Sequence, residues 1–261
     1  MTKGSHSQTT QSKPSKNIGL PEFFDIPLAE ARIHLGNLRP EERLAWAYEK
    51  FGKKFVLTTS FGIQSAVLLH MLHVLECGKD IPVVWIDTGY LPPETYCYAE
   101  QLINQLGINI QVIQSPMSPA RMEALYGKLW ETNCVEDIEK YHLLRKVQPL
   151  ESAFNERNVQ CWGSGVRGGQ TDHRRSMTLL DPIRERLSLR PLLEWTKKDI
   201  FYYMQENSLP QHPLFKKGYS SVGDWHSSAP EGSEAKGRDT RFGGLKQECG
   251  IHVQGVMGEG I

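Results

Sequence analysis

Residues 55–65 read Phe55-Val56-Leu57-Thr58-Thr59-Ser60-Phe61-Gly62-Ile63-Gln64-Ser65. An apolar run enters a Ser-Phe-Gly turn, and residues 63–75 are then apolar on nearly every side apart from His70 and His73. This spacing predicts a strand, a tight glycine loop and a buried helix. The pattern repeats outward. Residues 81–86 form a second apolar run ending in Asp87-Thr88-Gly89, residues 93–106 have helical spacing, and 108–113 read as a third strand. Upstream, Pro40 opens a helix with acids in its first turn that stops at Gly52. Strands alternating with helices imply a parallel sheet covered on both faces, so the expected fold is doubly wound α/β.

Further along, helices are expected at 118–129, 135–144 and 149–157. A fourth strand around 159–162 runs into Gly163-Ser164-Gly165-Val166-Arg167-Gly168-Gly169, another is expected at 187–192, and Thr196 caps a helix through Gln205. Periodicity fades from about Gln211. The expected organisation is a disordered polar segment over 1–18, an α/β nucleotide-binding domain over 19–210 and a mobile, flexible C-terminal tail over 211–261.

A chain of 261 residues that is 39% hydrophobic suits one such domain with a sizeable core. Thirty Lys+Arg balance thirty Asp+Glu, so no bulk field draws nucleic acid or an acidic membrane. An anionic ligand must then be held by locally clustered cations. No apolar run approaches roughly eighteen residues and the first residues are polar, which predicts a cytoplasmic protein with neither a membrane span nor a secretory signal. The five cysteines are odd in number, widely spaced and never in a Cys-x-x-Cys pair, which argues against a disulfide framework, a zinc site or an iron–sulfur cluster. Cysteine chemistry here must use a single thiol.

Ligands of open α/β sheets bind outside the carboxyl ends of the strands. After the first strand, Ser60-x-Gly62-x-x-Ser65 offers hydroxyls and backbone N–H groups to an anion at a helix start, although such a turn is more often a plain connection. It lacks the Gly-Lys-Ser/Thr ending of a Walker A loop. After the second strand, Asp87 and Thr88 suit a ribose or a base and serve equally as a turn cap. Past the later glycine loop, Arg167, Arg174 and Arg175 stand with Gln170 and His173 as candidates for phosphate recognition, the alternative being a solvated loop. Near the end, Arg238, Arg241 and Lys246 precede Glu248-Cys249-Gly250-Ile251-His252. A cysteine among cations and a histidine inclines to the thiolate, and the glycine permits close approach to a ligand. His70 and His73 have no third metal ligand in view and read as helix surface.

The segments TTSFGIQSAVLLHM (58–71), DTGYLPPETY (87–96), YGKLWE (126–131), IEKY (138–141), GYSSVGDWH (218–226) and RFGGLKQECGIH (241–252) resemble the phosphoadenylyl-sulfate reductases of sulfate assimilation, over roughly residues 40–252. That resemblance implies a PP-loop adenine-nucleotide fold, usually a homodimer. The implied reaction reduces 3′-phosphoadenylyl sulfate (PAPS) to sulfite and adenosine 3′,5′-bisphosphate, with thioredoxin, or glutaredoxin in its place, as donor. Cys249 would be the nucleophile, forming a thiosulfonate that an outside thiol resolves. His252, Arg241 and Lys246 would favour its thiolate and balance the sulfonate charge. Ser60, Gly62 and Ser65 would cradle the phosphosulfate, with Asp87 and Thr88 beside the nucleoside. Lys146, Arg167, Arg174 and Arg175 would meet the phosphates, and Tyr219 either reaches the site or packs.

Departures from related families narrow the subtype. PP-loop ATPases carry SGGxDS, whereas Phe61 and Gln64 replace its second residue and its acid here, which weakens any case for ATP cleavage. Adenylyl-sulfate (APS) reductases carry a Cys-Cys pair and a later Cys-x-x-Cys. Tyr141-His142 and Asp224 with Ser227 stand at those positions, so neither a cluster nor another metal is expected. The competing readings are a cluster-free APS reductase and, further off, a PP-loop ATPase or nucleotide-binding module.

Overall fold

The computed structural model describes residues 26–233 and 235–253. The segment 1–18 lies outside the described residues. Alternation along the first strand, β1 (Phe55–Thr59), decides the layers. Phe55 and Leu57 face a core built with α1 (Leu28–Gly36), α2 (Pro40–Phe51), α3 (Ser65–His73), α4 (Pro93–Leu106) and α9 (Lys197–Glu206). Val56 faces the opposite side, where it meets Leu150 and Phe154 of α7 (Gln148–Glu156). The remaining helices are α5 (Pro119–Tyr126), α6 (Val135–His142) and the short α8 (Asp172–Arg175). Each fully buried Leu or Phe contributes roughly 1.5–3 kcal/mol.

Around β1 stand β2 (Val83–Asp87), β3 (Ile110–Gln114), β4 (Cys161–Gly163), β5 (Leu180–Ile183) and β6 (Arg186–Leu189). Their order is β3-β2-β1-β4-β6-β5, parallel except for the β5–β6 pair. The chain thus winds outward from β1 to β3, then returns to place β4 on the other side of β1. That reversal is a topological switch point, and the loops after β1 and β4 diverge there to leave a crevice.

Three parts of the fold differ from the sequence reading. The helix α1 has no apolar stripe to announce it, with Ala31 and Leu35 buried but Ile33 70% exposed. The strand β5 contains Asp181-Pro182 and is tolerated because it is the sheet edge, where proline withholds no needed ladder bond. Residues 135–156 run as α6, a π turn over Leu143–Val147 and then α7. The wider turn absorbs Pro149, which has no N–H to give, and so the expected break at the proline does not occur.

The stretch from Gln211, read from the sequence as a mobile tail, follows a packed course over 211–233 and 235–253 in short 3₁₀ turns, with His212, Leu214, Asp224 and Phe242 buried. Polar and glycine-rich, it has no periodic face, because it packs through single side chains. His212 is one anchor: its Nδ1 accepts from the Leu214 N–H at 3.2 Å and its Nε2 pairs with Thr95 Oγ1 at 3.1 Å. Burial pulls it down to about 4, and burial does the same to His226, also to about 4, helped by Lys146 and Arg241 against Asp224. The unfolded chain therefore takes up these protons below about pH 6.5, and the folded protein only near pH 4. Stability is complete above that window and falls as pH drops through it. We expect the thermal midpoint to fall by at least about 5 °C between pH 7 and pH 5. In His212→Asn, which keeps an acceptor over Leu214, the slope should be shallower; a midpoint flat across the range would remove these histidines as the cause.

Candidate active site

At the switch point the two diverging loops, the end of β2 and the final segment enclose one cavity. Its first wall is the turn after β1. Phe61 holds φ 45°, a left-handed conformation that a glycine would adopt freely. Its ring is fully buried and meets Trp85 edge-on at 4.8 Å, so packing offsets the backbone cost. At Gly62 the turn faces the Val222 carbonyl of the final segment, 3.5 Å from where a Cβ would stand, an ordinary van der Waals separation. Ser60, Gly62 and Ser65 all line the cavity.

The loop after β4 supplies the second wall through Ser164, Arg167 and Arg174. Arg167 is buried, and its guanidinium donates to Gln64 Oε1, tying the two loops together. Burial and the neighbouring Arg174 pull it down to about 10, so it keeps its charge at neutral pH. No carboxylate among the described residues pairs with it. Arg174, by contrast, is held by Glu248 through two parallel bonds of 2.9 and 2.8 Å, and Thr171 Oγ1 donates to the same carboxylate at 2.9 Å.

Lys146 reaches the cavity from the π turn, its Nζ 2.5 Å from Asp224 Oδ2. Thr88 Oγ1 donates to Asp224 Oδ1 at 2.5 Å. Burial alone would raise the Asp224 carboxyl, but Lys146, His226 and Thr88 together hold it well below the usual carboxylate range. Beside Lys146, Arg145 is buried with its Nε donating to the Thr88 carbonyl at 2.9 Å, which fixes the end of β2. Arg241 lies across Gly223, where a Cβ would fall 2.1 Å from its Nη2, and donates to Ser227 Oγ at 2.7 Å.

Tyr141, His142, Asp224 and Ser227, the positions singled out in the sequence for their lack of cysteine, lie close together here. Ser227 Oγ donates to the Asp224 carbonyl at 3.1 Å, and Tyr141 and His142 lie within electrostatic reach of the Asp224 carboxylate. Lys146 occupies the middle as an ion-pair partner. Among the described residues no group of three His, Cys, Asp or Glu is placed to hold a metal ion. His70 and His73 are each engaged through Nδ1, with the Tyr203 hydroxyl at 3.0 Å and the Leu106 carbonyl at 2.7 Å.

Cys249 lines the same cavity, followed by Gly250 at φ 80°. His252 lines it too, stacked on Trp162 with ring centroids 5.0 Å apart. Burial, then Arg174, Arg190, Arg238 and Arg184, push it well below its ordinary value, so it is neutral. Burial, and after it the surrounding arginines, thus work against the positive charge that the sequence suggested for His252. Four other candidates do not reach the cavity. Arg175 points outward to Asp172 at 2.8 Å, and Lys246 pairs with Glu139 on α6. Asp87 is occupied by the Tyr96 hydroxyl at 2.6 Å, Gln114 Nε2 at 2.7 Å and the Gly89 N–H at 2.8 Å. Tyr219 packs against Ile63, Leu214 and Val222. Asp224 was not assigned to the site from the sequence, nor was Arg238, named only as a cation before Cys249, nor Ser164, and the structure lines the cavity with all three. The first two lay in plain view in GYSSVGD and GRDTRFGG, but nothing local shows that these loops fold back over the sheet.

The comparisons with known proteins agree with this geometry. The model of the phosphoadenosine phosphosulfate reductase domain matches residues 54–230. A phosphoadenosine 5′-phosphosulfate reductase of Synechococcus sp. is 49% identical over 227 residues, 87% of this chain and 97% of that protein. Its counterpart in Vibrio cholerae is 43% identical over 227 residues, covering 87% and 88%. Among solved structures, the phosphoadenylyl-sulfate reductase of Candida auris in a phosphate complex superposes with TM-score 0.68 at 25% identity, over 81% of this chain and 100% of that one. The FMN adenylyltransferase of Candida glabrata in complex with ATP shares the fold, with TM-score 0.52 at 15% identity over 81% and 68%.

Proposed function

The chain belongs to the phosphoadenosine phosphosulfate reductase family and reduces that activated sulfate in sulfate assimilation; we propose that it does so through a thiosulfonate on Cys249. The sulfur of free sulfate is a poor electrophile, but in a phosphosulfate anhydride it carries a good leaving group. The Cys249 thiolate attacks that sulfur, a Cys–S–SO₃⁻ bond forms, and the S–O bond to phosphate breaks, its electron pair leaving with adenosine 3′,5′-bisphosphate. A donor thiolate then attacks the Cys249 sulfur and expels sulfite, leaving a mixed disulfide that the donor's second thiol resolves. The two electrons thus come from a dithiol, which becomes a disulfide.

One observation carries this reading: Cys249 stands on the wall of the same cavity as the β1 turn and the β4 loop, with Lys146, Arg167 and Arg241 around it. Ser60, Gly62 and Ser65 receive the phosphosulfate, Arg167 its charge, and Thr88 lies toward the nucleoside. Mixing the protein with one equivalent of PAPS and no reductant should leave a sulfonate adduct on the Cys249 peptide by mass spectrometry. An adduct elsewhere, or none, would remove Cys249 as nucleophile. Parallel incubations with PAPS, APS and ATP, scored for sulfite, separate this reading from a cluster-free APS reductase and from a nucleotide-binding module.

Thioredoxin is the donor we propose, with glutaredoxin as the alternative dithiol, and a homodimer in the cytoplasm as the working form. All five cysteines are unpaired, as thiol chemistry in a reducing compartment requires, and among the described residues no helix is long and apolar enough to cross a membrane. No cofactor enters the mechanism. Protein purified anaerobically should be colourless and free of iron and acid-labile sulfide, because Tyr141, His142, Asp224 and Ser227 offer no thiolate. Stoichiometric iron and sulfide would contradict this.

A further inference from the structure

The segment that carries Cys249 is held from outside the cavity by a residue that no motif marks. The strands β5 and β6 are joined by the two-residue turn Arg184-Glu185, with Ile183 paired to Arg186. Both turn residues have positive φ, 46° and 64°, as in the type I′ turn that favours Asn-Gly or Asp-Gly. Two long side chains at such positions break a local rule, and a broken local rule without local compensation points to a use elsewhere.

That use is visible in the hydrogen bonds. The Arg184 guanidinium donates to the carbonyls of Gly250 at 3.0 Å, Ile251 at 2.6 Å and Val253 at 3.2 Å. Its Nε is fixed by Glu151 at 2.7 Å, and the side chain is only 7% exposed. Residues 250–253 form a turn, with the Val253 N–H toward the Gly250 carbonyl, so their oxygens converge on one planar fork. On the other side of Cys249, Arg238 Nε donates to the Gln247 carbonyl at 2.9 Å and Arg174 grips Glu248. The cysteine is thus suspended between guanidiniums, and the turn of Arg184 is the only one of these anchors that belongs to the sheet edge rather than to the cavity.

We propose that Arg184 is a positioning residue for sulfonate transfer: the β5–β6 turn is a dock that holds the backbone after Cys249 so that its sulfur faces the substrate. The proposal rests on Cys249 being the sulfonate acceptor. Its test is Arg184→Asn, since asparagine fits a positive φ and Glu151 keeps Arg186 at 2.6 Å, so that the hairpin retains its own partners. The thermal midpoint should match or exceed the wild type, while amide exchange at 250–253 speeds up by about tenfold. Single-turnover transfer from PAPS to Cys249 should slow by about 10–100-fold, with the PAPS Kd, read in a Cys249→Ser background, unchanged within about twofold. Arg184→Lys, which keeps the charge but reaches fewer carbonyls, should recover part of the rate.

Unchanged exchange overturns the dock, and so does unchanged transfer despite faster exchange. A loss carried by PAPS affinity, or matched by a lower midpoint in both variants, shows a merely structural residue and overturns the proposal as well. Absence of any Cys249 adduct in the wild-type enzyme overturns the nucleophile reading and this proposal together; the exchange measurement distinguishes that result from a failed dock.

Discussion

Cys249→Ser enzyme should release no sulfite from PAPS above background, a loss of at least ~10⁴-fold, while binding the nucleotide nearly as well as the wild type. Serine keeps the shape of the side chain but not the nucleophile, and the cavity walls that hold the substrate belong to other elements. At about 1.36 kcal/mol per decade, such a loss corresponds to at least ~5 kcal/mol of barrier, the size expected when a covalent step is deleted rather than a contact weakened. Steady-state sulfite release, together with PAPS binding by calorimetry, decides it. Substantial turnover in the variant would mean that another group accepts the sulfonate; loss of binding would mean that the defect lies in the fold.

Arg167→Ala should lower kcat/KM for PAPS by roughly tenfold to a thousandfold, since one or two charge-assisted hydrogen bonds to an anion are worth roughly 1.5–3 kcal/mol each. Among the cations on the cavity wall, only it and Arg241, which donates to the Ser227 and Ser228 hydroxyls, lack a carboxylate partner among the described residues. Arg174 is neutralised by Glu248 and Lys146 by Asp224, whereas Arg167 is bonded to the neutral Gln64. Its charge is therefore available to a substrate. If the β1 turn receives the phosphosulfate as proposed, Arg167, tied to Gln64 of that turn, would face the end of the ligand that PAPS and APS share. The variant should accordingly lose activity on both, leaving their ratio unchanged. In the wild type, PAPS is expected to be preferred through its extra phosphate, with a preference that shrinks at high salt. A collapse of the PAPS:APS ratio in Arg167→Ala would instead make this residue the reader of the 3′-phosphate.

Much of this protein was legible in one dimension. The apolar runs before Ser60, Asp87 and Gly163 are strands, and the helix over residues 93–106 has the bounds its spacing suggests. Period-2 and period-3.6 patterns record which face of an element meets the core, so they survive without knowledge of the partner. The glycine turns at strand ends marked walls of the cavity, because a parallel sheet opens at its carboxyl edge. Cys249 was visible because a lone thiol in a polar, cationic stretch has no core to fill.

Charge was different. Arg174 and Arg175 are neighbours in sequence, yet the first is buried against Glu248, 74 residues away, while the second is exposed beside Asp172. Lys246 and Arg241 stand in one motif, but one pairs with Glu139 and the other lies across Gly223 at the cavity. His252, a cation candidate by composition, is pushed well below its ordinary value by burial first and then by Arg174, Arg190, Arg238 and Arg184, which folding gathers around it. Sequence thus determined the elements, the strand ends and the thiol. Only the tertiary structure decided which cations remain free for a substrate and which residue of the β5–β6 turn holds the cysteine in place. Hydrophobic patterning is a property of neighbours along the chain, whereas an ion's pairing and its cost of burial depend on groups that folding alone brings together.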